Sequence, residues 1–135
     1  MSGAGILNFQ LSNAAPVTAV VPAARIFSAH ELPMGTVLPA ILISEIGNTP
    51  FQYVSEASRL RIDHLQVTVH SASDAEKKLL LDLVRSTCGP GARRVNGTWV
   101  DSIVLGTEGP DLSQPDANIF EQSQDFTVRW YTPVS

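Results

Sequence analysis

The stretch Leu60–Cys88, LRIDHLQVTVHSASDAEKKLLLDLVRSTC, decides the fold. Its first part alternates. Leu65, Val67 and Val69 fall on one side of an extended chain, and His64, Gln66, Thr68 and His70 on the other, which predicts a strand over 60–70 with one buried face. Ser73-Asp74-Ala75-Glu76 then reads as a capping box, with Ser73 at the N-cap and Glu76 reaching back to it. Ala75, Leu79, Leu80, Leu83 and Val84 recur at helical spacing and predict an amphipathic helix over about 74–88. Asp74 and Glu76 at its start and Arg85 near its end complement the helix dipole, and Asp74 and Lys78 are spaced for an ion pair. Gly89-Pro90-Gly91 stops the helix, with Gly89 suited to a left-handed cap. The whole unit carries no catalytic group.

Working toward the N-terminus, Ala40-Ile41-Leu42-Ile43 is a branched apolar run that predicts a strand buried on both faces, reaching about Ile46 and ended by Gly47-Asn48-Thr49-Pro50. Phe51 to Ser58 reads as a loop with two aromatics, Phe51 and Tyr53; loops this long are usually functional or mobile. Arg25-Ile26-Phe27 reads as a short strand, and Glu31 to Gly35 as a loop. A helix over 4–13 has Ile6, Leu7, Phe9 and Leu11 as its apolar content and is closed by Asn13 before Pro16. Val17 to Val21 fits either a further helical turn or an extended piece.

Toward the C-terminus, Asn96-Gly97 between Arg94-Val95 and Thr98-Trp99 predicts a tight type I′ hairpin. The strand after it, 98–106, sets Trp99, Ile103 and Leu105 against Thr98, Ser102 and Gly106. Glu108–Asn118 is a polar loop with three acids and little to pack. A last strand, 119–131, puts Phe120, Phe126, Val128 and Trp130 on one face. This order predicts an α+β fold: an antiparallel or mixed sheet of about four to five strands with two helices packed on one face, in a single domain spanning 1–135.

At 135 residues, 44% apolar and 16% charged, the chain can bury about two-thirds of its unfolded surface without a covalent staple. The net charge of −4 argues against a monomeric nucleic-acid binder, whose affinity rests on a basic stripe. Arg93-Arg94 is a tight basic pair just after the helix; it reads as a solvated loop pair, or as a phosphate or partner contact. Nothing at the N-terminus reads as a secretory signal, and no apolar run approaches the roughly 20 residues that span a bilayer. The expectation is a chain made in the cytoplasm, with Asn96-Gly97-Thr98 a turn and not a glycosylation site.

Reactive residues do not converge. His64 and His70 share a strand face but stand roughly 20 Å apart, too far to share an ion within one chain. Cys88, the single cysteine, sits at a helix C-terminus, where a thiolate is disfavoured; it reads as a buried structural thiol. Asp101, Glu108, Asp111 and Asp116 match no calcium loop. Gly3-Ala4-Gly5 and Gly89-Pro90-Gly91 lack phosphate-loop spacing. The expectation is no catalytic residue, no metal and no cofactor.

Ala24-Arg25-Ile26-Phe27 followed by Leu38-Pro39-Ala40-Ile41-Leu42-Ile43 resembles the opening of the tail-completion proteins of tailed bacteriophages, also called tail terminators or head–tail joining proteins. The resemblance continues through Gly47-Asn48-Thr49-Pro50, the strand Arg61–Val69, the helix Ala75–Arg85 and the closing Phe126-Thr127-Val128-Arg129-Trp130-Tyr131, covering roughly 24–131. It implies a small α+β subunit that closes into a ring, commonly a hexamer. Such a ring caps the head-proximal end of the tail tube, docks to the head–tail connector or stopper, and lets DNA pass through its lumen without sequence readout. The implied location is the tail or neck of a virion; the implied partners are other copies of the chain, the tube protein and the connector, with no enzyme activity, cofactor or membrane.

A ring needs heterologous contacts that close by rotation. Phe51, Tyr53 and Arg59 are the candidates for one subunit contact. Arg93 and Arg94 are candidates to meet acids of a neighbour, Glu108 and Asp111 among them. A negative chain also suits a channel wall that must not hold DNA. The alternatives are a head-completion adaptor, a tail-tube relative, or, from another class, a small ligand-binding domain with a concave pocket.

Overall fold

The computed structural model describes residues 2–50 and 60–131. Among these residues, three α-helices, α1 (Gly3–Ser12), α2 (Ala15–Thr18) and α3 (Asp74–Thr87), pack against one six-stranded sheet. The strands are β1 (Ile26–Ser28), β2 (Ala40–Pro50), β3 (Leu60–Ser71), β4 (Arg93–Val95), β5 (Thr98–Glu108) and β6 (Phe120–Tyr131), in spatial order β1-β2-β3-β6-β5-β4. Only β1 and β2 run parallel; every other neighbouring pair is antiparallel. The α+β expectation holds in outline. One more strand and one more helix than expected are present, because Val17 follows Pro16 into a helical turn and β1 and β4 both join the sheet.

The centre is the β3–β6 ladder, paired without a break from Leu60↔Tyr131 to Ser71↔Phe120. Leu65, Val67 and Val69 of β3 and Phe126, Val128 and Trp130 of β6 face the helices, all buried. Ile6, Leu7 and Leu11 of α1 and Leu80, Leu81 and Val84 of α3 cover them. Ile41 and Ile43 of β2 join this core, while Ala40 and Leu42 are buried on the opposite face, as the unbroken apolar run predicts.

β2 does not end at Gly47. It continues through Pro50, because an extra residue, Ile46, bulges out between the pairs Glu45↔Leu65 and Gly47↔His64 and the ladder then resumes. The same device corrects β5. Val100 pairs with Trp130 and Ser102 with Arg129, so Asp101 is an extra residue that resets which side chains point inward. Thr98, Val100 and Ile103 are buried, and Trp99, expected to share a face with Ile103, is 42% exposed.

Helix α3 starts where the capping box puts it: the Ser73 hydroxyl accepts the Glu76 amide at 3.2 Å. The return arm differs. Glu76 accepts the Ser71 hydroxyl at 2.6 Å, and Ser71 in turn accepts the Ser73 amide at 3.2 Å, so one β3 serine relays the bond. The buried stripe is Lys77, Leu80, Leu81 and Val84; Ala75 and Leu79 face out instead. Gly89 is not left-handed: Cys88 caps the helix, and Gly91 is the glycine at positive φ, +123°. Asn96 and Gly97 have φ of 48° and 82°, as the predicted I′ turn requires.

A buried carboxylate fastens α1 to the sheet. Asp63 Oδ2 accepts the Gly3 amide and the Trp130 indole N–H, each at 2.9 Å. A Cβ on residue 3 would lie 2.6 Å from that oxygen, so only glycine allows the approach. Replacing Asp63 by Ala strands both donors. An unmade buried hydrogen bond costs about 1–3 kcal/mol, so the unfolding free energy is expected to fall by about 2–4 kcal/mol. Urea unfolding measures it; a loss under about 0.5 kcal/mol, no larger than an ordinary surface substitution, contradicts the tie.

Candidate subunit interface

Four of the seven candidate interface residues lie among the described residues, and each has a partner within the chain. Phe51, Tyr53 and Arg59 lie outside the described residues. Arg93 donates to the Gly89 and Pro90 carbonyls at 2.6 and 2.9 Å, closing the turn after α3. Arg94 lies over the Trp99 ring, 5.9 Å from its centroid, a cation–π geometry on the hairpin surface. Glu108 meets Arg85 Nη2 at 3.0 Å and accepts from Gln122 at 3.0 Å.

Asp111 is held most firmly. Lys77 starts the buried stripe of α3 with its side chain only 1% exposed, and its ammonium sits 2.9 Å from Asp74 and 2.7 Å from Asp111. The stem is buried and the charge is delivered to the rim. Asp111 also accepts the Ser113 hydroxyl and, at 3.0 Å, the Ser113 amide. The segment after Glu108 therefore packs, against expectation: Gly109 and Leu112 donate to the Ser123 and Glu121 carbonyls, and Gln114 bridges Ile119. A lysine on the apolar stripe is the one sequence signal that this segment has an anchor.

The histidines and the cysteine stay apart. His64 Nδ1 stands 3.2 Å from the Thr127 hydroxyl, and His70 Nδ1 3.1 Å from Glu121. Burial pushes the His70 imidazole below its ordinary pKa, and Glu121 pulls the other way. Cys88 is fully buried; desolvation pushes its thiol up to about 12, against a small opposing pull from Arg93, which suits a packed thiol and not a nucleophile. No three His, Cys, Asp or Glu side chains among the described residues gather as a metal site, and no described helix is long and apolar enough to cross a membrane.

The sheet edges differ in how they are guarded. β1 is three residues long, and Asn8 of α1 donates to the Ile26 carbonyl at 3.2 Å and to the Ser28 hydroxyl at 2.9 Å. β4 covers β5 only from Thr98 to Val100. Beyond Val100, among the described residues, no strand lies along the outer side of β5, where Val104 and Leu105 are 53% and 37% exposed. An unpaired edge leaves backbone N–H and C=O groups on which another strand can pair.

The fold is shared with a virion component. The chain superposes on a chain from the solved structure "Virion of native gene transfer agent (GTA) particle" with a TM-score of 0.69 and 13% identity, over 97% of this chain and 96% of that one. No family model matches the chain, and no curated protein matches it.

The Lys77–Asp111 tie sets a pH dependence. The Lys77 and Ser113 hydrogen bonds hold the Asp111 carboxyl down at about 2, below its value near 3.8. Burial pulls the Lys77 ammonium down, but its bonds to Asp111 and Asp74 outweigh that and raise it. A lowered carboxylate stabilises the fold above its unfolded pKa, and that contribution is lost as pH falls through the folded value. A raised lysine loses its contribution only as pH climbs through the folded value, in strong alkali. The stability gap between wild type and Asp111→Asn is thus expected to be constant near neutrality and to close between about pH 4 and pH 2. Urea midpoints across that range read it; a gap unchanged at pH 2 contradicts the tie.

Proposed function

We propose that this chain is a structural protein of a phage-like virion, and within that class a tail terminator. It closes into a ring of commonly six copies at the head-proximal end of the tail, stops growth of the tube, and joins it to the head connector with DNA passing through the lumen. The carrying observation is the superposition, end to end on both chains, with a component of a gene transfer agent virion. The resemblance of the sequence pieces from Ala24 to Tyr131 to tail-completion proteins supports the terminator within that class.

The chemistry of the molecule agrees with a part that acts by shape. Its buried polar groups are spent on architecture: Asp63 holds a helix, Lys77 holds a loop, and Gln124 is bonded to Arg85 and to the Gly106 and Asp125 carbonyls. Particles produced without this protein are expected to carry tails of uncontrolled, excessive length when imaged by negative stain. Tails of normal length beside unjoined heads would reject the terminator role in favour of a head-side adaptor.

A further inference from the structure

We infer that the patch formed by Arg94, Trp99, Tyr131 and Arg129 on the sheet face away from the helices docks the acidic 108–118 segment of a second copy of this chain. The inference rests on the ring reading and names the surfaces that would build it.

The patch follows from register. Arg94 pairs with Trp99 across β4 and β5. Val100 pairs with Trp130, and both are buried toward the helices, so their neighbours Trp99 and Tyr131 share the opposite face. Trp99 is 42% and Tyr131 38% exposed, and the Arg129 side chain is 42% exposed with its Nε 3.8 Å from Asp101. Two guanidiniums thus flank two open aromatics, with one carboxylate beside them. Trp, Tyr and Arg are the residues on which interface energy concentrates. In a chain of net charge −4, this locally positive, aromatic surface fits a partner that is acidic and partly apolar.

The chain carries such a surface elsewhere. Residues 108–118 contain three acids and no Lys or Arg. Leu112 is 59% exposed, and Glu108 and Asp111 remain about half exposed although Arg85 and Lys77 hold them. The Lys77 anchor presents the segment in a fixed shape, which lowers the entropic cost of docking. Its own chain cannot complete the contact. Leu112 is bonded to Glu121, and Glu121 lies ten residues along β6 from Tyr131, roughly 30 Å at strand rise. Two different patches on one chain make a heterologous contact, which repeats from copy to copy and gives a ring when the rotation closes.

Asp116 is the acid to test, since it is exposed and is not one of the two acids tied to Lys77 and Arg85. The experiment compares wild type, Arg94→Glu, Asp116→Arg and the double variant by sedimentation velocity, with thermal midpoints confirming that all four fold alike. Each single change is expected to weaken self-association at least about tenfold, and the double change to restore it by exchanging the charges. Rings that persist in Arg94→Glu overturn this interface while leaving the ring reading intact. Weakening in both single variants without recovery in the double overturns the assignment of 108–118 as the partner. A wild-type chain that stays monomeric, and forms no ring on purified tails, overturns the ring reading and this interface with it.

Discussion

Everything in this molecule depends on β3 being paired along its whole length. It bonds to β2 on one side and β6 on the other, so its backbone groups are satisfied while Leu65, Val67 and Val69 face the helices. The period of two makes that register unforgiving: a slip of one residue would bury His64, Gln66 and Thr68 in their place. Asp63 belongs to the same face and receives the Gly3 amide and the Trp130 indole, which fixes where α1 crosses the sheet. The two ends of the chain are therefore tied to one another through the middle strand.

The parts legible in the sequence are those governed by near neighbours. The alternation of β3, the Ser73 cap of α3, the Asn96-Gly97 turn and the two-faced burial of Ala40–Ile43 each follow from a few adjacent residues. The misses come from pairings distant in sequence. Nothing beside Ile46 or Asp101 announces a bulge, because a bulge is set by the strand opposite; once present, it turns Trp99 outward. Ala75 and Leu79 look like core by spacing, yet the helix rotates to bury Lys77, whose partner Asp111 is 34 residues away.

The candidate interface residues rest on the sequence in a different way. In the sequence, Arg94, Glu108 and Asp111 stand out by residue type and loop position alone. The structure adds that Arg94 stacks on Trp99 and that Asp111 anchors its segment, so two of them organise surfaces as well as decorate them. Only the β5–β6 register brings Tyr131 and Arg129 beside Trp99, and nothing near them in the sequence signals it. On the proposed docking, two dissimilar surfaces of one chain would meet from copy to copy, an arrangement suited to repetition around an axis.

The mass of the purified 14.5 kDa chain in solution, by light scattering or native mass spectrometry over a range of concentrations, tests that claim most directly. The account predicts a closed assembly at a small fixed multiple of the chain mass, six being the expected count. A single chain at every concentration, with no ring formed when tail tubes are added, would contradict it.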